Sequence, residues 1–298
     1  MNVPATTVSL PFVLINGEPA GSDVRTISAR DRGLTLADGL FETMLVRAGR
    51  VFRRSAHLAR LADGLRRLAI PEPREIDDWI TEALLLSGAL EASIRLTVTR
   101  GPGPGGLPPP PRVHPTVIVA INPMPQFPAS LYENGLRAIV ASGRRNQRSI
   151  IAGLKTLAYT ESVTAWLEAQ RAGADEAIFL DIDDHCSEAT AGNLFVCEGD
   201  VLLTPPVTCA ALPGITRATI IEAAATLGTA VREEPISLDR LRAASEVFIT
   251  SSLRGIAPLT LLDGRPIGTG APGRVTERLS TAYAAIIEEE CAATGNPA

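Results

Sequence analysis

The sequence predicts a mixed α/β fold, α+β in its ordering, divided into two domains. Three observations carry this. The chain has 298 residues, 45% hydrophobic and 20% charged, which is enough for two modest cores and too apolar for disorder. Short β-rich runs and helical-period segments interleave without the strict strand–helix–strand alternation of a doubly wound sheet. The stretch Asn122-Pro-Met-Pro-Gln-Phe-Pro128 sustains neither helix nor central strand, so the interdomain connection falls there. The expected layout is an N-terminal α/β domain over residues 1–123, a linker over 124–133, and a C-terminal α/β domain over 134–298 that carries Lys155.

In the first half, Phe12 to Ile15 and Leu40 to Val46 read as strands, with Asn16-Gly17 a tight turn after the former. Leu58, Leu61, Leu65 and Leu68 repeat at helical spacing, predicting a helix over His57 to Leu68, and Arg74 to Gly88 reads as another. Ile94 to Thr99 and Thr116 to Ile121 are strands flanking a Gly/Pro-rich loop. In the second half, Leu136 to Ala141 is a strand and a basic loop leads to Lys155. Ala158 to Ala172 is a helix stopped at Gly173. Glu176 to Leu180, Asn193 to Cys197 and Val201 to Thr204 read as a strand meander. Thr216 to Leu227 is a helix, Val247 to Thr250 a strand, and Val275 to Glu289 the closing helix. Residues 1–9 and 292–298 are small and polar and read as frayed ends.

Net charge is −5 and no basic run offers a stripe to follow phosphates, which argues against nucleic-acid binding. No apolar run reaches membrane-spanning length, and no basic segment leads into a long apolar one at the N-terminus. Four cysteines show neither paired zinc spacing nor the density of a secreted scaffold. The expectation is a reduced, cytoplasmic protein with no membrane partner. Of the 28 basic residues, Lys155 is the only lysine and the other 27 are arginines. Arginine cannot lose its proton to become a neutral amine nucleophile, whereas lysine can. Lys155 is therefore the first candidate for chemistry.

Around it stand segments that are weak singly. Leu212-Pro213-Gly214-Ile215-Thr216-Arg217 turns directly into a helix. The backbone N–H groups of such a start favour a phosphate, with the Thr216 hydroxyl as a further donor, although taken alone it reads first as an ordinary cap. Thr250-Ser251-Ser252 after a strand offers more hydroxyls, and Arg60 beside a helix's apolar stripe could reach a phosphate bidentately or simply be solvated. Glu188, among small residues, suits pairing with a protonated ring nitrogen or is a loop carboxylate in water. Gly101-Pro-Gly103-Pro-Gly-Gly106 has dinucleotide-motif spacing but runs into prolines where that motif demands a helix; a rigid loop at a site mouth is the better reading. Asp181-Ile-Asp183-Asp184-His185 lacks the glycine and distal glutamate of a calcium loop and reads as a hairpin turn, so no metal is expected. His57 and His114 have no nucleophile pattern near them.

Together these pieces resemble the class IV aminotransferases, the fold-type-IV pyridoxal-phosphate enzymes, a group that includes branched-chain and D-amino-acid aminotransferases and 4-amino-4-deoxychorismate lyases. The resemblance runs from Asn16-Gly17 to Pro266 through Asp31-Arg-Gly, Asp38-Gly-Leu-Phe41-Glu42-Thr43, His57-Leu-Ala-Arg60-Leu, Arg95-Leu-Thr-Val-Thr-Arg100-Gly, Leu154-Lys155-Thr-Leu, Gly173-Ala-Asp-Glu-Ala, Ser187-Glu188-Ala-Thr-Ala-Gly-Asn193, Leu212-Pro-Gly-Ile-Thr216-Arg217 and Ser251-Ser-Leu-Arg-Gly-Ile-Ala-Pro258. It implies a two-domain fold with the active site between the domains and a homodimer. It implies pyridoxal 5′-phosphate as cofactor, with Lys155 as the Schiff-base lysine and Glu188 keeping the pyridine nitrogen protonated. Arg60, the amides of Ile215 and Thr216, the Thr216 hydroxyl and Ser252 would hold the phosphate, and Tyr159 would stand near the phenolic oxygen. Substrates would be amino acids and 2-oxo acids.

Three departures bear on substrate. Ala158 stands where the Lys-x-Leu-Asn pattern has asparagine. Gly105 and Leu107 stand where the bacterial D-amino-acid enzymes carry an arginine and a histidine, and Leu34 where they have a tyrosine. The Leu253 amide and Arg254 are the nearest replacements for that carboxylate trap. The Ser-Leu-Arg-Gly-Ile and Leu-Lys-Thr-Leu segments lean toward the lyase branch, which makes pyruvate elimination to 4-aminobenzoate the alternative to amino-group transfer.

Overall fold

A computed structural model of the chain describes residues 10–20 and 27–292; the terminal stretches read above as frayed ends lie outside these except for residue 292. By its internal contacts the chain divides into two compact units. One comprises the residues up to 125, 155–158 and those from 287 on; the other comprises 126–154 and 159–286.

The first unit is built on a six-stranded, wholly antiparallel sheet. Its elements are β1 (Phe12–Ile15), β2 (Glu18–Pro19), α1 (Arg32–Leu36), β3 (Gly39–Arg47), β4 (Arg50–Val51), α2 (Arg54–Arg67), α3 (Ile76–Ser87), β5 (Ala92–Thr99) and β6 (Thr116–Asn122), with sheet order β2-β1-β6-β5-β3-β4. Strand β3 is buried along most of its length, as Leu40, Phe41, Met44, Leu45 and Val46 require. Helix α2 buries Leu61 and Leu65 and packs on β3, while α3 packs on β1 and β6. The 101–111 loop is irregular apart from one bridge from Pro102 to Asp31, and it is pinned by the buried Arg32, whose guanidinium donates to the carbonyls of Gly106 (3.0 Å) and Leu107 (2.9 Å).

The second unit contains α4 (Ala129–Asn134), β7 (Leu136–Arg145), α5 (Thr160–Arg171), β8 (Glu176–Asp181), β9 (Cys186–Ala189), β10 (Asn193–Glu198), β11 (Val201–Thr204), a 3-10 turn (Val207–Cys209), α6 (Ile215–Thr226), β12 (Ala230–Glu233), α7 (Leu238–Ala243), β13 (Glu246–Ser251), β14 (Gly255–Leu262) and β15 (Arg265–Pro266); α8 (Arg274–Cys291) begins in it. Its sheet is mixed, in the order β12-β11-β10-β13-β14-β7-β8-β9. The pairing of Glu188 with Asn193 joins β9 back to β10, so six of these strands close into a ring. Alternation explains the filling. Ile178 and Leu180, Leu194 and Val196, Val247 and Ile249, and Ala257 and Leu259 share one core, each pair two residues apart on one strand face. Ala177 and Phe179, on the opposite face of β8, join Ala165 and Ala169 of α5 in a second core. Both faces of β8 are thus buried, which is why it reads as a continuous apolar run.

The mixed α/β reading holds. Two details differ from the sequence expectation. The segment expected as linker runs into helix α4, whose N-cap is Pro128, so its prolines precede a short helix instead of preventing one. Residues 155–158, expected in the C-terminal domain, cluster with the first unit, because their main chain pairs with β3. Among the described residues no helix is long and apolar enough to cross a membrane.

Candidate active site

Two groups of residues gather the chemistry, one in each unit. In the first, the chain around Lys155 lies against β3: Phe41 N donates to Lys155 O (3.0 Å) and Leu157 N to Gly39 O (3.1 Å). Gly39 permits this approach, since a Cβ there would fall 2.5 Å from Val98 O and 2.9 Å from Leu157 Cδ1. The Lys155 ammonium sits 4.4 Å from the centroid of the Phe41 ring, on which the Arg95 guanidinium also stacks at 3.3 Å.

One residue along β3, the Glu42 carboxylate is 1% exposed and fully engaged. It accepts Arg60 Nε at Oε1 (2.8 Å) and Arg60 Nη2 at Oε2 (2.6 Å), and Oε2 also lies 2.7 Å from His57 Nδ1. Burial alone would raise the Glu42 pKa, but the hydrogen bonds from His57 and Arg60 outweigh it and hold the carboxyl below its ordinary value. Burial pushes His57 below its own ordinary value against the pull of Glu42, so the ring is neutral near pH 7 and donates from Nδ1. His57 and Arg60 are three residues apart on α2, hence on one helix face. The sequence reading singled out Arg60 but gave Glu42 no role and set His57 aside; the i, i+3 spacing was the available signal.

A second buried charge group stands nearby in sequence. Asp38 accepts Arg32 Nε (2.9 Å) and Arg100 Nε (2.7 Å), and Arg100 also donates to Leu68 O (2.7 Å) and Ala69 O (2.9 Å). Burial opposes ionisation of Asp38, but hydrogen bonds from Arg100 and Arg32 prevail and keep its carboxyl below the usual range.

In the second unit, Glu188 lies on β9 rather than in a loop. Its Oε2 accepts the Leu212 N–H (2.9 Å) and its Oε1 is 3.6 Å from Arg145 Nη2, with 14% of the side chain exposed. Leu212 leads into the start of α6. Gly214 is the N-cap of that helix and no side chain caps it, so the first backbone donors of α6 have no capping acceptor. Glycine is required by contact rather than by φ, because a Cβ there would come within 1.9 Å of Asn193 Oδ1. Asn193 in turn donates to Leu212 O (2.8 Å). Thr216 is buried in the first turn and Ile215 half-buried.

Ser252, Leu253 and Arg254 form the turn between β13 and β14, and all three are half-buried. Arg254 is already engaged: its Nη1 lies 3.4 Å from Oε2 of the buried Glu176, and Tyr132 Oη donates to its carbonyl (3.0 Å). Tyr159 is the N-cap of α5 and half-buried. The cysteines are unpaired, and burial pushes the thiols of Cys186, Cys197 and Cys209 up to about 12, so none is a thiolate nucleophile at neutral pH.

The family model described as amino-transferase class IV matches residues 39–262. A Methanocaldococcus jannaschii protein provisionally named a branched-chain-amino-acid aminotransferase is 37% identical over 275 residues, covering 91% of this chain and 94% of that one. The crystal structure of the Escherichia coli branched-chain amino acid aminotransferase aligns with a TM-score of 0.89 at 30% identity, over 96% of this chain and 97% of that one. The 4-amino-4-deoxychorismate lyase of Pseudomonas aeruginosa aligns with a TM-score of 0.80 at 33% identity, over 90% and 97%. The chain belongs to the class IV aminotransferase family.

Proposed function

We propose that the protein moves an amino group between an amino acid and a 2-oxo acid, using pyridoxal 5′-phosphate. Membership of the family supports this, and so does the observation that carries it: the sole lysine of the chain is held against β3 beside Phe41, in a unit that also presents Arg60. The residues present fit the cofactor, since the uncapped first turn of α6 leaves backbone donors for a phosphate and Glu188 offers a carboxylate to a ring nitrogen. When bound, the cofactor supplies an aldehyde for the substrate amine and an electron-withdrawing ring.

The chain's own residues would divide the remaining work. Lys155 would hold the cofactor through its amine and, once released by substrate, carry the proton to and from the substrate Cα. The Glu188 carboxylate would accept the ring N–H and so favour its protonated form. Arg60, oriented by Glu42, would face the phosphate together with the Ile215 and Thr216 amides and the Thr216 and Ser252 hydroxyls. The Tyr159 hydroxyl would serve the phenolic oxygen. The Leu253 amide and Arg254 would receive the substrate carboxylate, with Arg254 shared between it and Glu176. A cytoplasmic homodimer completes the reading, and light scattering of the purified protein checks the assembly.

Absorbance spectra of the cofactor-loaded protein, mixed with a panel of L- and D-amino acids, test the proposal. Conversion of the bound aldehyde form to the amine form, reversed by a 2-oxo acid, is expected; no conversion with any amino acid overturns it. The second reading, 4-amino-4-deoxychorismate lyase, is favoured by the 33% identity to the Pseudomonas enzyme. Release of pyruvate and 4-aminobenzoate from aminodeoxychorismate would select it.

A further inference from the structure

The turn between β8 and β9 brings three different ligand types together with a residue from a distant segment. Asp181 ends β8 with a side chain 2% exposed, His185 precedes β9 with a side chain 40% exposed, and Cys209 closes the 3-10 turn after β11. One Asp181 oxygen is fixed by the turn itself: Oδ1 accepts the backbone N–H groups of Asp183 (3.0 Å) and His185 (2.9 Å). The other, Oδ2, lies 3.7 Å from His185 Nδ1, and the Cys209 thiol hydrogen-bonds the same carboxylate. One donor atom from each of the three residues lies within 4.8 Å of the other two.

We propose that Asp181, His185 and Cys209 form a zinc site. The decisive spacing is that between Asp181 and His185. At 3.7 Å it is too long for a hydrogen bond. It is close to the roughly 3.3–3.6 Å that separates neighbouring ligands around a tetrahedral zinc with metal–ligand bonds of about 2.0–2.3 Å. The donor set is imidazole nitrogen, thiolate sulfur and carboxylate oxygen, which suits a borderline-soft divalent ion and not calcium or magnesium. One carboxylate and one thiolate balance the two positive charges. On binding, the Cys209 S–H bond breaks, its proton leaves to solvent and an S–Zn bond forms, while Asp181 and His185 donate lone pairs. A water on the exposed His185 side fills the fourth position.

Sequence spacing hid the site because Cys209 is separated from the other two by β9, β10 and β11. Its consequence is mechanical. The turn leads directly into the strand carrying Glu188, and Cys209 leads into Leu212, whose N–H donates to Glu188. Zinc would staple these two segments at their shared origin. The site stands independently of the proposed reaction.

The test uses tag-free protein loaded with its cofactor, dialysed against zinc chloride and then against buffer, with elemental analysis and thermal melts. One zinc per chain and a raised melting temperature are expected. In His185→Ala, chosen because that side chain is partly exposed, and in Cys209→Ser, affinity should fall by on the order of 100-fold, since even indirect partners of a ligand cost about 10–100-fold. Magnesium chloride should leave the melt unchanged. Absence of stoichiometric zinc, binding undiminished in both variants, or an equal effect of magnesium would each overturn the assignment.

Discussion

The Glu42 cluster in the first unit and the start of α6 in the second both face the problem of placing charge in a folded interior, and they solve it oppositely. At Glu42 the charges are already paired: a 1% exposed carboxylate takes both ends of the Arg60 fork and the His57 ring. At α6 the donors carry no capping side chain, while Glu188 accepts the Leu212 N–H (2.9 Å) and lies 3.6 Å from Arg145 Nη2. A cluster satisfied by its own members is bound up with folding, because removing one member strands another in low dielectric. On the proposed reading the uncapped start of α6 gives its donors to the cofactor phosphate, so changes there should be read in affinity. The proposed function thus predicts different readouts for the two regions, stability for the first and affinity for the second.

The largest effect that would sharpen this contrast is on Lys155. Lys155→Arg keeps a cation over Phe41 but removes the only side-chain amine, so turnover should fall by at least roughly 10³-fold with an unchanged melting temperature. Next, Glu42→Ala leaves Arg60 and His57 without their carboxylate and should cost about 3–5 kcal/mol of stability by urea denaturation. A cost near zero would break the contrast. The same cluster sets a pH dependence. The folded values of His57 and Glu42 both lie below their ordinary 6.5 and 4.5, so the unfolded chain binds more protons as pH falls. Stability should therefore be full near neutrality, decline below about 6.5 as the unfolded-state imidazole protonates, and decline further below about 4.5 as pH falls toward the depressed Glu42 value. Stability that rises on acidification through this window would contradict the pairing.

Changes at α6 should be smaller and of the other kind. Gly214→Ala must displace Asn193 or the helix start, costing about 1–3 kcal/mol and weakening cofactor binding in an equilibrium titration. Thr216→Ala should barely alter the melt yet weaken pyridoxal phosphate several-fold, about 1 kcal/mol for one lost hydrogen bond. If Thr216→Ala lowered stability as much as Glu42→Ala, the two regions would not differ in kind.

How much of this was legible in the sequence depended on whether the signal was local. β8 was legible because burial on both faces makes it continuously apolar, and α2 because its leucines recur at helical spacing. β9 was not, since Cys186, Ser187, Glu188 and Ala189 carry no strand alternation and the strand exists through pairing with β8 and β10. β14 was hidden by Pro258, which pairs with Phe248 just ahead of the first residue matched to β7. The family could be read from its ordered motifs, each residue of which is local. Glu42's role could not, because its partners lie on another element and only the folded chain brings carboxylate, guanidinium and imidazole together.

The central claim is that Lys155 is the covalent attachment point of the cofactor. Borohydride reduction of the loaded protein, followed by peptide mass mapping, tests it directly, because the chain has no other lysine to confuse the assignment. One phosphopyridoxyl adduct on the peptide containing Lys155, absent from Lys155→Arg, is the predicted result. An adduct at the N-terminal amine, or none at all in a protein that still turns over amino acids, would contradict it.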